Sequence, residues 1–176
     1  MKVVEKMEEK SLSLTERLIL QNQYLILEKL YPNEGYAMKR KIVENGYKSH
    51  YYELFLSLTD KEMQEKDCKF VLDVLDMYKA IINSNNKLGE NSLEGIYFHG
   101  FDGNNESDLL GYAEFFVFDL DRYRSIQEIS GRSFNSNSEM RQKYEKMLDK
   151  WDSFKENNNS PLTKEQLEEL LKEVNY

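Results

Sequence analysis

The sequence predicts an all-α protein, with six to eight helices in an orthogonal or bundle-like array and little or no sheet. Three observations carry this. Four Ser or Thr residues stand three positions ahead of a Glu or Gln and open apolar runs of helical period. Breaking residues fall between those runs. Strand-like character is confined to the short "GIYFHGF" stretch at 95–101, which also suits an extended connector.

The helix starts have a physical cause. A Ser or Thr at the N-cap accepts a hydrogen bond from an unpaired backbone N–H, and the Glu or Gln three residues on accepts from the cap's own N–H. Ser13 with Glu16 opens a first helix from about residue 14 to Tyr31, where Pro32 stops it. A second runs from about residue 34 to "ENGY", with Gly46 as its C-terminal cap. "SHYYELFLSL" at 49–58 suggests a short third. Thr59 with Glu62 predicts a long helix reaching about residue 83, with Cys68, Leu72, Leu75 and Ile82 along one side. "NSNNKLGENSLEG" at 83–95 has the polar and glycine content of a loop, and a subdomain boundary is expected within 84–96.

Further on, Asn105 is read as an N-cap with Glu106 and Asp108 in the first turn, where the partial positive charge of a helix start favours acids. Gly111 falls inside that helix at a cost of about 1 kcal/mol relative to alanine, so a close-packed neighbour is expected beside it. Ser136 with Glu139 precedes a stripe of Met140, Tyr144, Met147, Leu148, Trp151 and Phe154. Thr163 with Gln166 precedes Leu167, Leu170, Leu171 and Val174, with Leu162 placed to staple onto Leu167. Residues 1–12 read as a charged N-terminal extension, and 13–176 as the helical domain.

Composition narrows the function classes. Hydrophobic residues make up 40% of the 176, enough for a globular interior, while 32% are charged, which argues against a membrane protein. The start "MKVVEKMEEK" has no signal-peptide core, so a cytoplasmic location is expected. The formal charge of −8 repels a phosphate backbone, and the densest basic run, "MKRK" at 38–41, is flanked by Glu34 and Glu44 and reads as a solvated helix face. Nucleic-acid binding is not expected. The single cysteine, Cys68, makes no internal disulfide and lies on an apolar stripe, where a buried inert thiol is the simpler reading.

No pattern requires catalysis. "FHGFDGNNESDLLGYAEFF" at 98–116 places Asp102, Asn104 and Glu106 at alternate positions like a calcium loop, but the sixth residue of that loop would be Ser107 rather than glycine and the twelfth Ala113 rather than Glu. His50 and His99 are far apart, and "HYYE" has the wrong order for a bundle metal site. Asp73 and Asp76 share a face with Lys69 and Lys79 at pairing distance along the helix. Neither a phosphate-binding glycine loop nor a nucleophile elbow occurs. Neither a metal nor a cofactor is expected.

"ERLILQNQYLILEKL" at 16–30 is less ordinary. Arg17, Gln21 and Glu28 can share an exposed face, while Asn22 and Gln23 fall among Leu18, Ile19, Leu25, Ile26 and Leu30. Such a helix is predicted to be central, or sandwiched at an interface. Trapped amides should then bond neighbouring helices or a symmetry mate, and amides in that position fix register or oligomeric state. Twelve tyrosines against one tryptophan point the same way, because tyrosine suits half-wet contact surfaces.

The segments "ERLILQNQY" at 16–24, "CKFVLDVLDMYKAI" at 68–81, "FHGFD" at 98–102, "LGYAEFFV" at 110–117, "RY" at 122, "FN" at 134 and "KYEKMLDKW" at 143–151 together resemble the bacterial YfbU family, in order, over about residues 13–155. The resemblance implies a helical, soluble protein and brings no activity with it. It also draws attention to polar positions that a core would not demand, namely Asn22, Gln23, Asp102, Arg122, Tyr123 and Asn135. Two functions are therefore expected. One is a non-enzymatic, self-associating helical protein with a regulatory or scaffolding role, meeting copies of itself and an as yet unnamed protein partner through a tyrosine-rich surface. The alternative is a hydrolase or small-ligand binder built on Asp102, Arg122 and Tyr123, with Asn135 nearby, in which a carboxylate and a guanidinium orient a polar substrate.

Overall fold

The computed structural model describes residues 11–56, 58–59, 61–131, 133–157 and 161–174, with backbone alone at 156–157. Most of the charged extension therefore lies outside the described residues. The helices are α1 (Leu14–Leu30), α2 (Tyr36–Asn45), α3 (Glu65–Lys87), α4 (Ser107–Glu114), α5 (Arg124–Ser130), α6 (Arg141–Asn157) and α7 (Lys164–Leu171). A 3-10 helix at Lys48–Leu54 makes an eighth, a shorter 3-10 turn follows α3 at Gly89–Asn91, and α4 runs on as a π-helix over Phe115–Asp119. Among the described residues the sheet content is one isolated parallel bridge, Phe101 to Asn135. The fold is all-α.

The chain forms two compact units, Met1–Glu62 and Met63–Tyr176. The division comes earlier than the polar 84–96 segment, which belongs to the second unit and is tied down there. Asn85 Nδ2 donates to the Leu93 carbonyl at 3.0 Å, and the Leu93 N–H donates to Asn85 Oδ1 at 2.7 Å.

In the first unit α1 packs on α2, and α2 on the 3-10 helix, around Tyr24, Ile42, Val43, Tyr51 and Leu54. Ser13 forms the expected capping box with Glu16, and Gly46 ends α2 with φ +67. Gly46 has a second reason to be glycine, since a Cβ there would meet the Arg17 guanidinium at 3.0 Å.

The second unit is built on α3, whose Val71, Val74, Leu75, Met77, Tyr78, Ile81 and Ile82 are buried against α4, α5, α6 and α7. The α6 stripe is as expected, with Met140, Tyr144, Met147 and Trp151 buried and Leu148 and Phe154 packed against them. Leu162, Leu167, Leu170, Leu171 and Val174 are buried too, beneath the Thr163–Gln166 capping box. An aromatic cluster fills the centre: Phe98 lies 5.0 Å from Phe134 and 5.2 Å from Tyr78, and Phe101 lies 5.4 Å from Tyr144, all edge to face.

Of the predicted starts, α4 begins at Ser107 with Glu106 rather than Asn105 as its N-cap, and two of the four opened by Ser or Thr differ as well. Helix α3 begins at Glu65 rather than after Thr59, with Gln64 as N-cap and no side-chain cap bond. A cap contributes only about 1 kcal/mol, so tertiary packing readily overrides it. Helix α6 begins at Arg141 because its first N–H groups have a better acceptor than Ser136, described below. Gly111 is exposed with nothing near its Cβ position, so the expected close neighbour is not there. No helix among the described residues is long and apolar enough to cross a membrane.

Candidate functional site

Helix α1 presents the most unusual surface. Arg17, Gln21 and Glu28, expected on its exposed face, instead turn toward α2. Arg17 Nε and Nη2 donate to the carbonyls of Val43 and Glu44, both at 2.7 Å, filling acceptors at the C-terminal end of α2 that the helix itself leaves open. Gln21 donates to Glu44 at 3.0 Å, and Arg40 bridges Glu28 at 2.9 Å and Glu44 at 2.6 Å. Those bonds hold the Glu44 carboxyl below its ordinary range, chiefly through Arg40, and raise Arg40 in return, chiefly through Glu28.

With the polar side turned inward, the apolar side faces water. Leu14 is 78% exposed, Leu18 55%, Ile19 52%, Leu25 43%, Ile26 62% and Leu30 63%. Asn22 and Gln23 sit among them, both exposed, with no side-chain hydrogen bond to another described residue. The expectation that α1 is central, with its amides bonded to neighbouring helices of the same chain, is thereby corrected: α2 packs on only one side of it. Surface helices ordinarily show the opposite arrangement. Of the exposed large hydrophobic side chains among the described residues, twelve lie in the first unit, including Tyr31, Tyr47 and Tyr52, and four in the second. Scattered exposed apolar residues are normal, but a contiguous apolar face marks an interaction surface.

Three of the four polar positions of the second unit, Asp102, Asn135 and Tyr123, are engaged in hydrogen bonds within it. Asp102 is buried, and its carboxylate accepts from the Asn104 N–H at 3.1 Å and from Asn105 Nδ2 at 2.6 Å. The Asn104 backbone bond leads in holding the Asp102 carboxyl below its usual value. Asn135 Oδ1 accepts from Gly103 N at 3.1 Å and from Asn137 N at 3.0 Å, so Asp102 and Asn135 meet at one loop junction, each closing a turn. Tyr123 belongs elsewhere. Its hydroxyl donates to Asp76 Oδ1 at 2.7 Å, its ring lies under Lys79, and burial followed by the Asp76 bond pushes its pKa up. It takes φ +52 at the start of α5, next but one to Asp121 at φ +50, and Asp121 is paired with Arg124. Arg122 is exposed beside them. No hydrogen bond or ion pair among the described residues links Asp102 to Arg122 or Tyr123.

One residue at this junction has a role that the sequence does not signal. The Glu106 carboxylate, buried, accepts from the N–H groups of Asp102 at 3.0 Å, Met140 at 3.0 Å and Arg141 at 2.8 Å. It thus caps α6 from 34 residues away, where Ser136 was expected to do so; the Ser136 hydroxyl donates to the Ser138 carbonyl instead. No spacing in the sequence signals this, because the partners meet only when the chain folds. Lys69 pairs with Asp73 as anticipated, whereas Asp76 is taken by Tyr123. Cys68 is half-buried beside Tyr112.

His99 lies 4.2 Å from the Tyr97 ring, and burial, then Lys143, lowers its pKa below 6.5. The folded state therefore prefers neutral imidazole, giving stability that is complete above the unfolded value and lost as pH falls through the folded one. The unfolding midpoint is expected to drop more steeply below about pH 6.5 in the native chain than in His99→Gln, measured by thermal melts at stepped pH.

Two other features carry less. Among the described residues, no group of three or more His, Cys, Asp or Glu side chains gathers as metal ligands. A cleft of about 410 Å³ between α3, α6 and α7 is lined by Ser84, Lys87, Trp151, Lys155, Leu162 and Gln166. Its polar groups are largely committed: Ser84 Oγ accepts from the Leu162 N–H at 3.1 Å, Gln166 serves the α7 cap, and Lys155 stacks on Trp151 and pairs with Asp152.

The YfbU domain model matches residues 10–172. This chain belongs to the YfbU family. Consistently, it is 35% identical over 167 residues to the UPF0304 protein MJECS11 of Methanocaldococcus jannaschii, covering 91% of this chain and 98% of that protein. The YfbU match takes in both units, so the outward apolar face of α1 lies inside the family domain.

Proposed function

We propose that this YfbU chain is a non-enzymatic, self-associating helical protein of the cytoplasm with a regulatory or scaffolding role. The observation that supports it is the reversal of α1, with its hydrogen-bonding side chains spent on α2 and its leucines and isoleucines turned to solvent. Covering that face removes apolar surface from water at roughly 25 cal/mol per Å², the main drive for association. The exposed tyrosines of the same unit supply contacts that tolerate partial wetting. Partners other than a second copy would use the remaining surface, and the acidic charge makes nucleic acid a poor fit.

Replacing Leu18 and Ile26 together with Glu tests this reading. Both are exposed, so folding is expected to survive with an unchanged helical circular dichroism spectrum, while the oligomer dissociates to monomer in size-exclusion chromatography with light scattering. Unchanged assembly in the double variant would remove α1 from the interface.

A further inference from the structure

The outward face of α1 has a symmetry in its residue order that specifies how two copies would meet. Around Asn22 the chain reads "LILQNQYLI" over 18–26, close to a palindrome in polar and apolar character, with Gln21 and Gln23 flanking the centre. The exposed apolar positions obey the same rule: Leu14 and Leu30, Leu18 and Ile26, and Ile19 and Leu25 are equidistant from Asn22, at eight, four and three residues on either side. An isologous contact brings one surface patch against itself, so that residue i touches residue j and j touches i. We propose that α1 packs antiparallel against α1 of a second copy, across a two-fold axis passing by Asn22.

This rests on the self-association reading above and adds its geometry. In the antiparallel arrangement Leu14 meets Leu30, Leu18 meets Ile26, and Asn22 meets Asn22, each amide able both to donate and to accept. A polar residue at the centre of an apolar seam sets register, since a slip of three or four residues sets its amide against leucine or isoleucine without a partner. A parallel pairing has no need of the palindrome. It would also set Lys29, which shares the outward face with Asn22, Leu25 and Ile26 by helical spacing, against its own copy; antiparallel pairing places it against Thr15. Antiparallel helices further oppose their dipoles, bringing each N-terminal end beside a C-terminal one.

Disulfide trapping in the full chain reads the geometry directly. In a Cys68→Ala background, checked first for native sedimentation, Leu18→Cys and Ile26→Cys are made singly and then mixed, and exposed to a mild oxidant. The expected result is a covalent dimer in the mixture, with an 18-to-26 disulfide found by peptide mass, and little cross-linking of either variant alone. If the single variants cross-link to themselves, or if a dimer by sedimentation shows no trapping in any combination, the antiparallel arrangement is overturned while self-association stands. A monomer by sedimentation in the unmodified chain overturns both.

Discussion

Gly100→Ala is expected to be among the most destabilising single methyl additions available in this chain. Gly100 takes φ +81, and a Cβ built there would lie 1.6 Å from the Phe134 carbonyl oxygen and 2.3 Å from its carbon. Backbone cannot step aside as a flexible side chain can, and this backbone is pinned: the Phe101 N–H donates to that same carbonyl at 2.9 Å, the Ser136 N–H donates to the Phe101 carbonyl at 3.1 Å, and the Tyr144 hydroxyl donates to the Gly100 carbonyl at 3.0 Å. The positive φ alone costs a non-glycine residue on the order of 1–3 kcal/mol, and separating the two strands of chain adds the loss of the hydrogen bonds that join them. A loss of about 4 kcal/mol or more is expected from urea unfolding. Gly131→Ala, also at positive φ but with open space around it, serves as the control and should lose no more than about the conformational cost alone. Equal losses in the two variants would show that the clash with Phe134 relaxes.

Glu106→Ala is expected to come close to that effect by a different route. Its carboxylate serves three backbone N–H groups, of Asp102, Met140 and Arg141, and Met140 is itself buried. Removing the acceptor strands donors where water reaches them poorly, at about 1–3 kcal/mol for each one left unsatisfied. A total near 3 kcal/mol is expected in urea unfolding. Glu106→Gln keeps one acceptor oxygen and should recover part of the loss. If alanine and glutamine behave alike and both cost under about 1 kcal/mol, the start of α6 does not depend on this carboxylate. Ser136→Ala, expected from spacing alone to be the damaging change, should be mild because its hydroxyl bonds only the Ser138 carbonyl.

The contrast between Ser136 and Glu106 shows where the sequence speaks and where it is silent. Capping boxes at Ser13 and Thr163 were legible because both partners lie within one turn, and the α6 and α7 stripes because helical period is a local property. Glu106 reaches a helix 34 residues on, and its acid was legible only as a generic first-turn charge. Thr59 had the right spacing but not the packing, since the buried face of α3 begins further along. The same distinction governs the candidate sites. Asp102 and Asn135 stood out as polar residues in a loop, but their bonds to Asn104, Asn105, Gly103 and Asn137 close turns, a use that composition does not separate from ligand binding.

Helix α1 was the reverse case. Its composition announced a helix with too much apolar surface for one buried side, yet periodicity cannot tell which side the neighbour takes. The deciding groups were the open carbonyls of Val43 and Glu44 at the end of α2, which draw Arg17 inward. Once Arg17, Gln21 and Glu28 are committed there, Leu18, Asn22 and Ile26 have nowhere to point but outward. That the apolar face is outside, and not that it exists, is what the structure adds.

The claim that this outward face is made to be covered by another copy is tested most directly by the mass of the unmodified chain in solution. Sedimentation equilibrium across micromolar concentrations is expected to give twice the mass of one chain, with Asn22→Leu altering the assembly or its register. A single-chain mass at every concentration, with Asn22→Leu and Gln23→Leu both without effect, would contradict it.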